Sequence, residues 1–204
     1  MKKMITSILV AIFIITGTVV QAQDLQKKIK GWPDTSHEVA HKMIEKYGEP
    51  SQQTEDMLIW KNTGPYTHTI VYKEEIQHDF PMPHKDVLEQ VINYDVPVEK
   101  FSDLARYDGS VIAERTKGTM AARCDKEAAN FLALNLANDI IKGKLSVEEA
   151  RNMYAETIMK MMQGEEHQYL TELAFDMPQA DITNPDKTIM DMSKVKERKN
   201  KKNK

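Results

Sequence analysis

Residues 128–141 read AANFLALNLANDII, and the rest of the chain has to be arranged around them. Their large apolar side chains point in several directions on a 3.6-residue repeat, and a helix that is apolar nearly all round is a buried one. Leu and Ala are good helix formers, and Lys142 followed by Gly143 is typical of a helix end. The segment therefore predicts a central helix against which the other elements pack.

A second helix is predicted a few residues later. Ser146 and Glu149 fit a capping box, in which each side chain hydrogen-bonds the backbone N–H of the other residue. Gly164 marks the end of this helix, and its apolar residues recur at helical spacing. Because only residues 143–145 join the two helices, we expect an antiparallel helical hairpin over residues 125–163.

A helix and a β-hairpin are predicted over residues 36–74. Thr35 and Glu38 fit another capping box, and the helix that follows must end before Pro50. Within residues 57–72, two runs of apolar and β-branched residues flank a turn sequence, which is typical of paired strands. This unit precedes the helical hairpin in the chain.

Residues 83–92 fit a further helix. Pro83 suits a first helical turn, and four apolar residues then fall on one helical face, namely Val87, Leu88, Val91 and Ile92. Together these elements predict a helix-rich α+β fold, with the helical hairpin as its buried core and the helix and β-hairpin unit before it.

The start of the chain is typical of an export signal. Two lysines precede an apolar run that is too short to span a membrane, and small residues precede a cleavage position after Ala22. We therefore expect residues 1–22 to be removed and the mature protein to be soluble, without a membrane span, in the periplasm or outside the cell. Residues 23–192 are then expected to form a single α+β domain, with a possible internal boundary near residues 76–83.

Charge is distributed unevenly along the chain. The whole sequence carries −3, residues 1–22 carry +2 and residues 193–204 carry +6, which leaves about −11 for residues 23–192. An acidic body disfavours nucleic acid as a partner, because such binding needs a basic face. The basic tail contains one apolar residue, so we expect it to be disordered.

The sharpest motif is HEVAH, which begins at His37. On a helix, His37 and His41 share a face and can bind one zinc ion, while Glu38 can act as general base on a bound water. Over these five residues the chain resembles the zinc metallopeptidase signature, although the extended pattern would need Gly and His where Ile44 and Tyr47 stand. Since Glu38 also belongs to a predicted capping box, we favour an ordinary helix start over a zinc site for this motif.

A second group of candidate ligands surrounds two prolines. His78 and His84 flank a stretch that its prolines keep extended, with Asp79 and Asp86 near. Imidazole and carboxylate suit Zn²⁺ or another first-row transition metal. The same residues are also consistent with a loop that packs on the core while its histidines hydrogen-bond locally. If the stretch folds back on the first helix, either histidine, Glu74 or Glu75 could complete the HEVAH zinc site, and all four histidines could share one ion.

Sulfur-containing side chains raise a third hypothesis. Thioethers bind Cu(I), and methionines are frequent late in the chain, but a methionine on a helical stripe also fits ordinary core packing. Cys124 is the only cysteine, so we interpret it as a small packing residue. The methionine group comprises Met153, Met159, Met161, Met162, Met177, Met190 and Met192, with His167 among them.

These observations bound the function without identifying a ligand. The sequence has no G-x-S-x-G nucleophile motif and no glycine-rich phosphate loop. By elimination it predicts an exported, non-catalytic domain that binds a partner protein or a small ligand in the cell envelope and carries no cofactor. One alternative is a zinc-dependent hydrolase with Glu38 as catalytic base. The other is a transition-metal-binding protein, and the candidate ligands are His37, His41, His78 and His84.

Overall fold

The computed structural model describes residues 25, 27–178 and 182–193. The predicted signal peptide, and the predicted tail beyond Ser193, lie outside the described residues. The described chain forms a six-stranded sheet with helices packed on it, so the predicted α+β class is confirmed. The strands are β1 (Gln52–Gln53), β2 (Met57–Thr63), β3 (Tyr66–His78), β4 (His84–Asn93), β5 (Val111–Glu114) and β6 (Thr119–Cys124), and the α-helices used below are α1 (Asp34–Tyr47), α2 (Phe101–Tyr107), α3 (Glu127–Ile141) and α4 (Val147–Met162).

The sheet is antiparallel throughout, in the order β1-β2-β3-β4-β6-β5. β2 and β3 form the predicted hairpin, and β3 then pairs with β4 so that His78 lies opposite His84. On the other side of β4, Leu88 pairs with Cys124 of β6, and Ser110 immediately precedes β5. The ends of β3 and β6 and the starts of β4 and β5 therefore meet at one end of the sheet.

The helix predicted over residues 83–92 is wrong, because β4 occupies most of these residues. Its four apolar residues, Val87, Leu88, Val91 and Ile92, are all buried. Adjacent residues of a strand point to opposite faces, so β4 is covered on both sides at these positions. Pairs of adjacent apolar residues repeated four positions apart also fit a helical stripe, which is why the pattern misleads.

α3 is the central helix that the sequence predicts. Twelve of its fifteen residues are buried, so burial extends around the whole helix. The Asn135 side-chain amide of α3 is buried and donates to the Glu172 carbonyl at 2.8 Å, whereas the buried Oδ1 of Asn130 has no partner. α4 begins at the predicted capping box, in which both bonds between Ser146 and Glu149 are present. Among the described residues, no helix has the length and apolar character needed to cross a bilayer.

The start of α1 differs from the prediction. The helix begins one residue before Thr35, so the capping box of Thr35 and Glu38 is wrong. Glu75 of β3 caps the helix instead, because its Oε1 accepts from the N–H of Thr35 at 2.8 Å and of Ser36 at 3.2 Å. A carboxylate there satisfies free N–H groups and interacts well with the helix dipole. Glu38 is exposed and pairs with Lys42 at 2.5 Å.

Apolar residues form two core clusters. The first joins α1 to β2, β3 and β4, and Val39 and Trp60 belong to it. The second surrounds α3 and includes Leu104 of α2 and Ile158 of α4. Phe80, in the connection between β3 and β4, packs against this second cluster. The end of the sheet that carries His78 and His84 is thereby held against the helices.

Candidate metal centre

The connection between β3 and β4 is fixed by aromatic contacts. Residues 79–83 form this turn, and the peptide bond between Phe80 and Pro81 is cis. The Phe80 ring lies 5.1 Å from the ring of Tyr154 on α4, and the Arg151 guanidinium lies 3.9 Å over the same ring. Such contacts each add to stability beyond the area they bury. The two strand ends on either side of the turn are therefore well positioned.

Two histidines and an aspartate converge at these strand ends. The rings of His78 and His84 lie 4.9 Å apart between centroids. Asp86 shares a strand face with His84, because it follows two residues later, and it is 2% exposed. Its Oδ2 lies 3.4 Å from Nδ1 of His78, and its Oδ1 lies 3.1 Å from Nε2 of His84. We call these three residues the histidine–aspartate cluster.

Two atoms of this cluster are buried without a hydrogen-bond partner. They are Nε2 of His84 and Oδ1 of Asp86, whose 3.1 Å separation does not have the angles of a hydrogen bond. The other ring nitrogen of His84, Nδ1, lies 2.9 Å from the Met82 carbonyl and donates to it, so a neutral ring carries its lone pair on Nε2. Two buried acceptors that face each other are stabilised by a positive charge between them, either a proton on the His84 ring or a bound metal ion.

Charges in the cluster support one another. The hydrogen bond with Asp86 raises the pKa of His78 against the opposing effect of burial. Burial lowers the pKa of His84, but the Asp86 carboxylate, the Cys124 sulfur and the Met82 carbonyl together outweigh burial and raise this pKa to about 11. Burial alone would raise the pKa of Asp86, yet both histidines and the Ser110 hydroxyl, which donates to Oδ2, lower it. The cluster therefore holds an ionised carboxylate that attracts protons or a metal ion to the two imidazoles.

A second carboxylate lies behind His78. Oδ1 of Asp108 is 3.6 Å from Nε2 of His78, the ring nitrogen that faces away from Asp86. Asp108 is 4% exposed, burial raises its pKa, and the Ser110 N–H donates to its Oδ1 at 2.8 Å. A carboxylate on the far nitrogen of a histidine is the usual outer partner of a metal-ligating imidazole, because it orients the ring and increases its basicity.

The cluster is suited to a small first-row metal ion. One ligand atom from each of its three residues lies within 4.8 Å of the others. Over residues 25, 27–178 and 182–193, no other group of three or more His, Cys, Asp or Glu residues meets this condition. Tetrahedral zinc with bonds of about 2.0–2.1 Å places neighbouring ligand atoms about 3.3 Å apart. The separations of 3.1 and 3.4 Å, which join His84 and His78 to the two different carboxylate oxygens of Asp86, are close to this value. His78, His84 and Asp86 would thus supply three ligands to one ion.

The HEVAH residues lie elsewhere, at the start of α1. The rings of His37 and His41 are 4.6 Å apart, and Glu38 pairs with Lys42, which lowers its pKa. In the described part of the chain, no third His, Cys, Asp or Glu completes a metal site with the two histidines, and they do not join the histidine–aspartate cluster. Glu75, a predicted candidate for the third zinc ligand, caps α1 instead.

Ser110 and Asp108 are functional candidates that the sequence reasoning did not identify. Both lie in the connection between α2 and β5, far from His78 in sequence, and the pairing of β4 with β6 brings them to the cluster. A recoverable signal existed for Asp86, since His84 and Asp86 share a face once the segment is interpreted as a strand. No comparable signal exists for Asp108, whose neighbours in sequence form an ordinary turn.

Comparison of the chain with protein-family models, with curated proteins and with solved structures found no match. Function therefore has to be argued from the chemistry of the site, because a fold class alone does not determine an activity.

Proposed function

We propose that this chain is an exported, non-catalytic protein whose ligand is a divalent first-row transition metal ion, with Zn²⁺ as the first candidate. The ligands are His78, His84 and Asp86. The observation that supports this proposal most directly is the pair of buried, unpartnered atoms, Nε2 of His84 and Oδ1 of Asp86. A metal ion beside them accepts both lone pairs, and neither atom has a hydrogen-bond partner in the structure.

The residues around the cluster fit the same role. Ser110 holds Oδ2 of Asp86, the Met82 carbonyl holds Nδ1 of His84, and Asp108 lies behind His78. Each ligand thus has a partner that orients it, as metal ligands in proteins usually do. The hydrolase alternative has weaker support, because Glu38 and its two histidines lack a third ligand among the described residues.

Metal content is the first test. The protein is purified without a tag or chelator, and zinc is measured by mass spectrometry and by competition with a chromophoric chelator. We expect one zinc ion per chain, lost in Asp86→Asn and in His84→Gln. The double variant His37→Ala/His41→Ala is the matched control, since it also removes two imidazoles, and it should retain the metal.

Stability provides a second measurement on the same samples. Zinc at about 100 times its Kd stabilises a single-site protein by about 2.7 kcal/mol. For a chain of this size, that corresponds to a rise in Tm of roughly 5–10 °C. Circular dichroism confirms that each variant is folded before its affinity is compared. Absence of zinc binding by the wild-type protein would contradict the proposal, and so would zinc that is lost only in the His37→Ala/His41→Ala variant.

A further inference from the structure

A small cleft lies beside the histidine–aspartate cluster. It has a volume of about 130 Å³, and His84 forms part of its wall. Tyr154 and Ile158 of α4 contribute apolar walls, so the cleft is suited to a ligand that does not need full hydration. The end of β6 completes it through Cys124. The cleft and the cluster thus share His84.

Three sulfur-containing side chains line this cleft. Met82 comes from the turn between β3 and β4, Cys124 from the end of β6 and Met161 from the last turn of α4. Cys124 is the only cysteine of the sequence, and its thiol donates to Oδ1 of Asp125 at 3.5 Å. We call this surface the sulfur cleft. Three separate elements therefore bring two thioethers, a thiol and an imidazole to one small space.

Core packing does not account for all three sulfur side chains. Met82 is 45% exposed although it is large and apolar, so it fills no part of a core. Met161 is partly buried, whereas Met159 and Met162 of the same helix are 60% and 67% exposed and do not line the cleft. The predicted methionine group is thus divided by the fold, and Met161 is the member that lines the cleft.

We propose that the sulfur cleft binds Cu(I) through Cys124, Met82 and Met161, together with the imidazole of His84. Thiolate, thioether and imidazole are the ligands that this soft ion prefers. Binding keeps copper in the Cu(I) state: the Cys124 thiol loses its proton to solvent, and a copper–sulfur bond replaces the S–H bond. The proposal rests on the proposed function only in that both sites use His84.

Sharing His84 has a measurable consequence. Its Nδ1 donates to the Met82 carbonyl, so one ring nitrogen, Nε2, remains as a metal ligand. Zn²⁺ at His78 and Asp86 therefore competes with Cu(I) in the sulfur cleft for the same atom. Saturation with zinc should weaken Cu(I) binding, and Cu(I) should weaken zinc binding by the same factor, because coupling between two binding equilibria is reciprocal.

The test is an anaerobic titration of the metal-free protein with Cu(I), in competition with a chromophoric Cu(I) chelator. We expect one Cu(I) per chain in the wild type. Met82→Leu and Met161→Leu should each weaken binding by at least about tenfold, and Cys124→Ala should abolish it. Leucine has nearly the volume of methionine, so these variants should fold. Met159→Leu and Met162→Leu are matched controls on the exposed side of α4 and should bind as the wild type does.

Two outcomes would overturn the inference. One is a wild-type protein that takes up no Cu(I), and the other is full affinity in both Met82→Leu and Met161→Leu. Copper X-ray absorption on the wild type adds a measurement that needs no variant, and a spectrum without sulfur neighbours would also overturn it. Zinc affinity is measured in the same variants and should not change. A wild-type protein that binds zinc but takes up no Cu(I) refutes the sulfur cleft alone. A wild-type protein that binds Cu(I) but no zinc refutes the zinc proposal alone.

Discussion

Asp108→Asn tests whether the carboxylate behind His78 serves the metal site. Asparagine keeps the shape of the side chain and an oxygen that can accept the Ser110 N–H, a bond of 2.8 Å in the structure. It removes only the negative charge that lies 3.6 Å from Nε2 of His78. The substitution therefore distinguishes two roles of Asp108: an effect on His78 would change zinc affinity, whereas an effect on the folding of the surrounding turn would change the stability of the metal-free protein.

The expected magnitude follows from that distance. Loss of an outer partner of a metal-ligating histidine typically weakens metal binding about 10- to 100-fold. Because 3.6 Å is longer than a strong charge-assisted hydrogen bond, we expect the lower limit, about tenfold, or about 1.4 kcal/mol. The metal-free protein should lose little stability. Burial raises the pKa of Asp108, which means that the fold disfavours its charged form, and the neutral amide removes this penalty.

Zinc affinity is measured by chelator competition and stability by urea unfolding of the metal-free protein. Asp103→Asn is the matched control, because Asp103 is a half-buried carboxylate of the neighbouring helix that pairs with Lys100 and Arg106 instead of a histidine. It should leave zinc affinity unchanged. If Asp108→Asn also leaves zinc affinity unchanged, Asp108 does not assist His78 in binding metal. If it unfolds the metal-free protein, its role is structural and the reasoning above is wrong.

Three further predictions concern the fold. Tyr66→Phe should raise the free energy of unfolding by about 1 kcal/mol, because the buried Tyr66 hydroxyl has no hydrogen-bond partner. Tyr94→Phe should lower the free energy of unfolding by about 1 kcal/mol, because it removes a hydrogen bond of 2.8 Å. If Tyr66→Phe destabilised the protein, the Tyr66 hydroxyl would have to have a partner. Glu75→Gln should lower Tm by weakening the cap of α1, an effect of about 0.5–1 kcal/mol that added salt should reduce. Gly118→Ala should destabilise by more than about 1 kcal/mol, since φ is +68° and an added Cβ would lie 2.5 Å from the Ile182 carbonyl oxygen; unchanged urea unfolding would contradict that close approach.

Elements with strong local signals were predictable from the sequence. The central helix and the helix that begins at the Ser146 capping box are both present, because their signals lie within a few residues of one another. β4 was not predictable, since its buried pairs of apolar residues suit a helix as well as a strand covered on both faces. The capping of α1 was also beyond local reasoning, because Glu75 lies about forty residues from the N–H groups that it accepts from.

In the candidate site, too, residues with a local sequence signal were predictable and residues placed by distant strand pairing were not. His78 and His84 were identified because prolines between them indicate a fixed turn, and the structure pairs them directly across the ends of β3 and β4. Asp108 and Ser110 could not be identified, because they reach the cluster only through the pairing of β4 with β6. Sequence spacing shows which residues can share a face of one element. It does not show which elements meet.

Burial is the physical difference between the two histidine pairs. His37 is half-buried and His41 exposed at the start of α1, so water can satisfy their free nitrogens and the absence of a metal there carries no free-energy penalty. In the histidine–aspartate cluster, each buried polar atom without a partner costs about 1–3 kcal/mol, and a bound ion removes that penalty for two such atoms at once. Metal binding at the proposed site would therefore also remove a penalty within the fold, which binding at HEVAH would not do. It follows that zinc should raise Tm only while Asp86 and His84 are intact, whichever other imidazoles the chain retains.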